Sequence, residues 1–145
     1  MSFDQVNSEP RETGALPLAQ VVRIPSDALD IEALNAFDEL QSDDGSGLVI
    51  ELIDLYLQDA PKQILAIGKA SASAGWIDLK RAAHNLKGSS STLGVRHVAE
   101  ICEKLEAGSC SPDPSEGVEA LIQLLEYKFA KARHALAAER QRRLA

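Results

Sequence analysis

Three side chains in the middle of the chain have the types and spacing for phosphoryl chemistry: His84, Lys87 and Gly88. An imidazole with an ordinary pKa of ~6.5 is largely unprotonated at neutral pH, so its ring nitrogen can act as a nucleophile. At about 100° per residue, a helix through this region turns His84 about 160° away from Leu86 and about 140° away from Leu79. Leu79, Ala83, Leu86, Ser90 and Leu93 mark the inward face, so His84 points to solvent. Within about 60° of it lie Ile77, Lys80, Arg81, Lys87, Gly88 and Ser91. A phosphoryl group accepted there would be a dianion in mid-helix, too far from the positive helix N-terminus to be steadied by it. Side-chain cations must do that work, and Lys87, one turn on, is best placed, with Lys80 and Arg81 adding field.

Gly88 runs against local preference, since glycine inside a helix costs about 0.5–1 kcal/mol relative to alanine. Two readings are open. Either Gly88 leaves a notch through which another protein approaches the imidazole, or the helix ends there and Ser89–Thr92 is loop.

The elements that must position these residues are helical throughout. A first helix over about 28–41, capped by Ser26 or Asp27, shows apolar residues at Ile31, Leu34, Phe37 and Leu40. Ser42–Gly47 breaks it. A second runs from about Leu48 to Ser71; its first half is apolar around most of its circumference, which means burial on two sides or a second apolar flank presented to a partner, and burial is favoured because the first helix needs something to cover. Pro61 lies inside it and predicts a kink. A third begins near Trp76 after Gly75. A fourth spans about Val95 to Ala107, with Val95, Val98, Ile101, Cys102 and Leu105 inward. A fifth covers about Ser115 to Arg140, with Val118, Leu121, Ile122, Leu125, Phe129, Ala132 and Leu136 as its stripe. No stretch alternates with period two. The class is all-α: helices two to five, joined by short loops, form an antiparallel four-helix bundle, with the additional N-terminal helix covering one end. Residues 1–25, with Pro10, Gly14, Pro17 and Pro25, read as a loose arm; residues 26–145 are the bundle with its covering helix.

Composition narrows the function classes. The chain has 145 residues and a formal net charge of −7, which argues against nucleic acid, whose binding relies on Lys and Arg neutralising phosphates. The imbalance is uneven: residues 1–59 hold thirteen acidic and two basic side chains, while Lys128–Arg143 holds six basic ones, a solvated helix face. No run of ~18 apolar residues suggests a membrane span, and residues 1–11 lack a secretory pattern. Two cysteines, Cys102 and Cys110, cannot build a disulfide framework, which suits the cytoplasm. Cys102 reads as a small buried apolar residue and Cys110 as exposed. His97 and His134 read as isolated histidines and Trp76 as a packing residue. A di-metal bundle would need paired Glu-x-x-His motifs, which are missing, so no metal site is expected.

His84-Asn85-Leu86-Lys87-Gly88, followed by Leu93-Gly94, resembles the His-x-Leu-Lys-Gly-x-x-x-x-Leu-Gly signature of histidine phosphotransfer (HPt) domains of two-component phosphorelays. Ala82-Ala83 before the histidine, Ile101–Glu106 after it, and Asp59-Ala60-Pro61 agree; Val95, where the family often has Ala, is a mild departure. The resemblance covers Leu48–Glu106 well and the last helix loosely. It implies a four-helix bundle with His84 as phosphoacceptor, Lys87 steadying the phosphoryl group and Gly88 giving clearance, and it favours a third helix reaching about Thr92. It further implies docking of receiver domains, from response regulators and hybrid histidine kinases, beside His84. Ile77 is the apolar candidate on that face, with Lys80, Arg81 and Ser91 around it and Ile50 or Leu57 contributing from helix two. No cofactor is expected in this chain, the Mg²⁺ coming with the receiver. The chain has no Gly-rich nucleotide loop, so it is expected to carry phosphate without autokinase activity. The chain starts at Met1 and holds one module, which suggests a freestanding carrier. The competing reading is a bundle adaptor that binds signalling partners without carrying phosphate.

Overall fold

The computed structural model describes residues 28–38 and 46–145. Among the described residues five helices follow one another: α1 (Ile31–Asp38), α2 (Ser46–Ala72), α3 (Trp76–Thr92), α4 (Arg96–Ser109) and α5 (Pro114–Leu144). No strand occurs among the described residues. Helices α2 to α5 pack α2 on α3, α3 on α4, α4 on α5 and α5 back on α2, the closed ring of an antiparallel four-helix bundle. The arm at 1–25, the Ser26 and Asp27 caps, Leu40 and the break after Gln41 lie outside the described residues.

The core follows the sequence periodicity. Leu79, Ala83, Leu86, Ser90 and Leu93 of α3 and its following turn are buried, as are Val98, Ile101, Cys102 and Leu105 of α4 and Val118, Leu125, Phe129, Ala132 and Leu136 of α5. Val95, at the α4 N-cap, is fully buried too. One polar pair crosses this core: the Tyr56 hydroxyl and Ser90 Oγ, 2.8 Å apart, join α2 to α3. Burial raises the Tyr56 phenol far above its ordinary range, so it stays a neutral partner. Burial, reinforced by nearby Glu106 and opposed by Lys87, pushes the Cys102 thiol up to about 12; Cys110 is exposed.

The structure revises several boundaries. The first helix begins at Ile31, not Ala28, because the Asp30 carboxylate accepts the backbone N–H groups of Glu32 (3.1 Å) and Ala33 (3.4 Å) as its N-cap. The second helix runs through Pro61 without interruption to Ala72. Its apolar first half is not buried all round: Val49, Ile53 and Tyr56 are inside, whereas Leu55 is 61% exposed. The fourth helix extends to Ser109, and the fifth starts on Pro114 and continues past Arg140 to Leu144.

Helix α1 lies across the end of the bundle formed by the start of α2, the α3–α4 turn and the last turn of α5. At one end Asp30 N–H donates to the Gly94 carbonyl at 2.8 Å. At the other, Arg143 donates to Asp38 (3.0 Å) and Asn35 (2.9 Å), and to Glu139 (2.8 Å) on its own helix. Burial alone would raise the Glu139 carboxyl, but Arg142 and Arg143 outweigh it and hold it below the usual carboxylate range. These contacts give α5 the reason to remain helical beyond Arg140.

Candidate functional site

The site is built on α3 and α4. The α3 helix continues through Gly88, which settles the open question at that residue: the Ser89–Thr92 run is helical. Its hydroxyls fold back onto the preceding turn, Thr92 Oγ1 donating to the Gly88 carbonyl at 3.0 Å and Ser89 Oγ to the Leu86 carbonyl at 3.2 Å. The helix then stops in a tight motif. Gly94 adopts φ +78°, and Val95 N–H donates to the Ser90 carbonyl at 2.8 Å. This turn sends α4 back alongside α3.

On the outward face of α3 the His84 side chain is 66% exposed. Ile77 is 77% exposed, and Lys80, Arg81, Gly88 and Ser91 are exposed with it. Arg81 is occupied by Asp78, one turn earlier, at 3.2 Å. Nothing outside its own helix would lie within 4 Å of a Cβ built on Gly88, so the helix surface there is open. A Gly88→Leu substitution should therefore leave the bundle folded while a bulky side chain covers the approach to His84. Phosphoryl uptake from a phosphorylated receiver should fall by at least about tenfold, within the roughly hundredfold that a 1 Å misplacement of reacting groups can cost. Unchanged uptake would remove the clearance role.

The sequence reading missed the residue that ties this site together, Glu106. It projects from α4 with its side chain 15% exposed. Its Oε2 lies 3.0 Å from His84 Nδ1 and its Oε1 lies 3.1 Å from Lys87 Nζ. The second contact is an ion pair only, because buried Oε1 has no aligned hydrogen-bond donor. Burial by itself would raise the Glu106 carboxyl; Lys87 and His84 overcome that and hold it below the usual carboxylate range. An ionised carboxylate only accepts hydrogen bonds, so this contact calls for the proton on Nδ1, and in the neutral ring Nε2 then keeps its lone pair. The available signal was positional: Glu106 follows Cys102 by four residues, on the edge of α4 that faces α3.

The other candidates fall elsewhere. Ile50 and Leu57 are half-buried, and Leu55 is the exposed apolar residue of that part of α2. Leu55 borders a groove of about 530 Å³ shared with Ser89 and Thr92 of α3. A smaller hollow of about 270 Å³ lies on the other flank, where Lys87 and Ser91 meet Asp30, Ala33, Gly94 and Arg96. His97 and His134 line a groove between α4 and α5, together with Lys128 and Lys131. No cluster of three or more His, Cys, Asp or Glu suited to a metal occurs among the described residues, and no described helix is long and apolar enough to cross a membrane.

A bundle of this topology with a solvent-facing histidine defines a class, and comparison with known proteins agrees. The Hpt domain family model matches residues 51–140, and the chain belongs to that family. It is 32% identical over 100 residues to histidine-containing phosphotransfer protein 2 of Arabidopsis thaliana, covering 66% of this chain and 64% of that protein. It is also 32% identical over 121 residues to the sensor protein TorS of Escherichia coli (strain K12), covering 81% of this chain and 13% of TorS. Among solved structures, histidine-containing phosphotransfer protein B (HptB) of Pseudomonas aeruginosa PAO1 superposes with a TM-score of 0.71 at 28% identity, over 79% of this chain and 96% of that one. The chain thus spans a little under two thirds of the length of the Arabidopsis relative.

Proposed function

We propose that this protein carries a phosphoryl group as phosphohistidine on His84, receiving it from the phosphoaspartate of one receiver domain and passing it to the aspartate of another. The observation that carries this reading is the exposed imidazole whose Nδ1 lies 3.0 Å from the Glu106 carboxylate, an arrangement that in the neutral ring leaves Nε2 as the attacking atom. In the uptake step Nε2 donates its lone pair to phosphorus, the P–O bond of the phosphoaspartate breaks, and that electron pair returns to the partner's carboxylate. The metal such a transfer needs, Mg²⁺, comes with the receiver. What this chain contributes is position and charge, the terms that dominate phosphoryl transfer. Its partners on this reading are receivers of response regulators and of hybrid histidine kinases. They would dock over Ile77, Lys80, Arg81 and Ser91, with Leu55 across the α2–α3 groove. The chain acts as a carrier, taking phosphate from proteins already phosphorylated, and works in the cytoplasm.

The direct test is incubation with a phosphorylated receiver. The expected product is an acid-labile, base-stable label that maps to residue 84 by peptide sequencing; a label on another residue, or none, refutes the assignment. Lys87 should matter to the product more than to the fold. Its Nζ pairs with the same carboxylate that meets the ring, and its side chain is one-third exposed, so it can turn from Glu106 to the phosphoryl oxygens. Lys87→Ala should shorten the phosphohistidine half-life by about tenfold, the scale of one charge-assisted hydrogen bond. Its melting temperature should stay close to that of the parent. Parallel loss of both would contradict this role.

A further inference from the structure

We infer that Glu106 is a positioning residue that keeps the proton on His84 Nδ1 throughout the phosphoryl cycle, and so makes the phosphohistidine a fast, short-lived donor rather than a store. The inference rests on the proposed phosphohistidine at His84 and on the two contacts of one carboxylate, 3.0 Å to Nδ1 and 3.1 Å to Lys87 Nζ.

Consider the ring before and after uptake. The free imidazole, with its proton on Nδ1, is neutral. Once Nε2 has bonded to phosphorus and Nδ1 has kept its proton, the ring carries one positive charge. Opposite a carboxylate 15% exposed, that cation is stabilised, because both charges sit partly out of water. On donation the P–Nε2 bond breaks, its electron pair goes back to Nε2, and a neutral imidazole leaves. No proton moves in either direction. Without the carboxylate, nothing opposite Nδ1 favours the charged ring, and its proton is more readily lost to solvent. The deprotonated ring would then have to depart as an imidazolate anion, a much poorer leaving group.

The second contact acts in the same sense. Lys87 is already paired with Glu106, so it can turn to the phosphoryl oxygens only by giving up that partner. A neutral residue at 106 would free the ammonium to hold the phosphoryl group. Both consequences predict a longer-lived phosphohistidine when the charge at 106 is removed.

Phosphoramidate, a small phosphoryl donor that releases ammonia as its P–N bond breaks, loads the full chain without any partner. After the donor is removed, decay of the label to inorganic phosphate is followed in the parent, in Glu106→Gln and in Glu106→Met. Both variants should retain label about five to ten times longer, the difference between a charge-assisted and a neutral hydrogen bond. In denaturant all three should decay alike, since the effect needs the folded α3–α4 pair, and the folded variants should keep the parent's helicity and melt within a few degrees of it, which separates slower decay from a loosened fold. Equal or faster decay in the folded variants overturns the inference. A parent chain that takes no label at His84 overturns the phosphotransfer reading itself, a separate outcome.

Discussion

His84→Gln should take up no phosphoryl group from any receiver or small donor, while melting within a few degrees of the parent chain. The loss is complete because an amide offers no nitrogen lone pair able to attack phosphorus, whereas the imidazole offers Nε2. The fold is spared because the side chain is two-thirds exposed and belongs to no core contact. Its one polar partner, Glu106, keeps Lys87. A surface substitution of this kind costs about 0.5 kcal/mol or less. Acid-labile, base-stable label that persists in the variant would point to His97 or His134, both in the α4–α5 groove, and would move the site to another face of the bundle.

Gly94→Ala should be strongly destabilising although it adds a single methyl group. A Cβ there would meet the Asp30 carbonyl oxygen at 2.7 Å, the Asp30 Cβ at 3.0 Å and the Ala33 Cβ at 3.1 Å. The first is backbone and cannot swing aside. The residue also sits at φ +78°, a conformation that costs an L-residue about 1–2 kcal/mol before any clash is counted. Together these predict a loss of about 3 kcal/mol, or roughly 10 °C in Tm for a chain of this size, read by thermal or urea unfolding. A loss below about 1 kcal/mol would mean that α1 yields freely at this contact. The result explains the Leu93-Gly94 pair that trails His84 by nine and ten positions: glycine is required there by backbone geometry and by the seating of α1, not by chemistry at the imidazole.

The helices and the outward stripe of α3 were legible in the sequence because both express one period, and the apolar residues at that period are the ones that fill the core. Cys102 and Leu105 of α4 and Phe129 and Leu136 of α5 are buried where the pattern puts them. What the pattern could not supply was anything that depends on two helices meeting. Glu106 reads as one more charged residue of α4; only its distance to a ring twenty-two positions earlier reveals its use. Leu55 belongs to a helix turn that looks apolar on every side, and periodicity cannot say which of those side chains the bundle leaves uncovered. The start of α1 was misplaced for a local reason: three residues in a short stretch, Ser26, Asp27 and Asp30, can each cap a helix, and the carboxylate that does so is the last of them.

Arg143 has a practical consequence at some distance from itself. Its guanidinium, 6% exposed, anchors Asn35 and Asp38 at one end of α1, while the residues at the other end, Asp30 and Ala33, help to wall the hollow beside Lys87. An affinity handle fused behind Ala145 would begin three positions after this anchor. Where such a handle displaces the guanidinium, α1 loses its tether at that end and the wall of the hollow beside Lys87 loosens with it, so rates measured on a fusion are best compared with those of the cleaved chain.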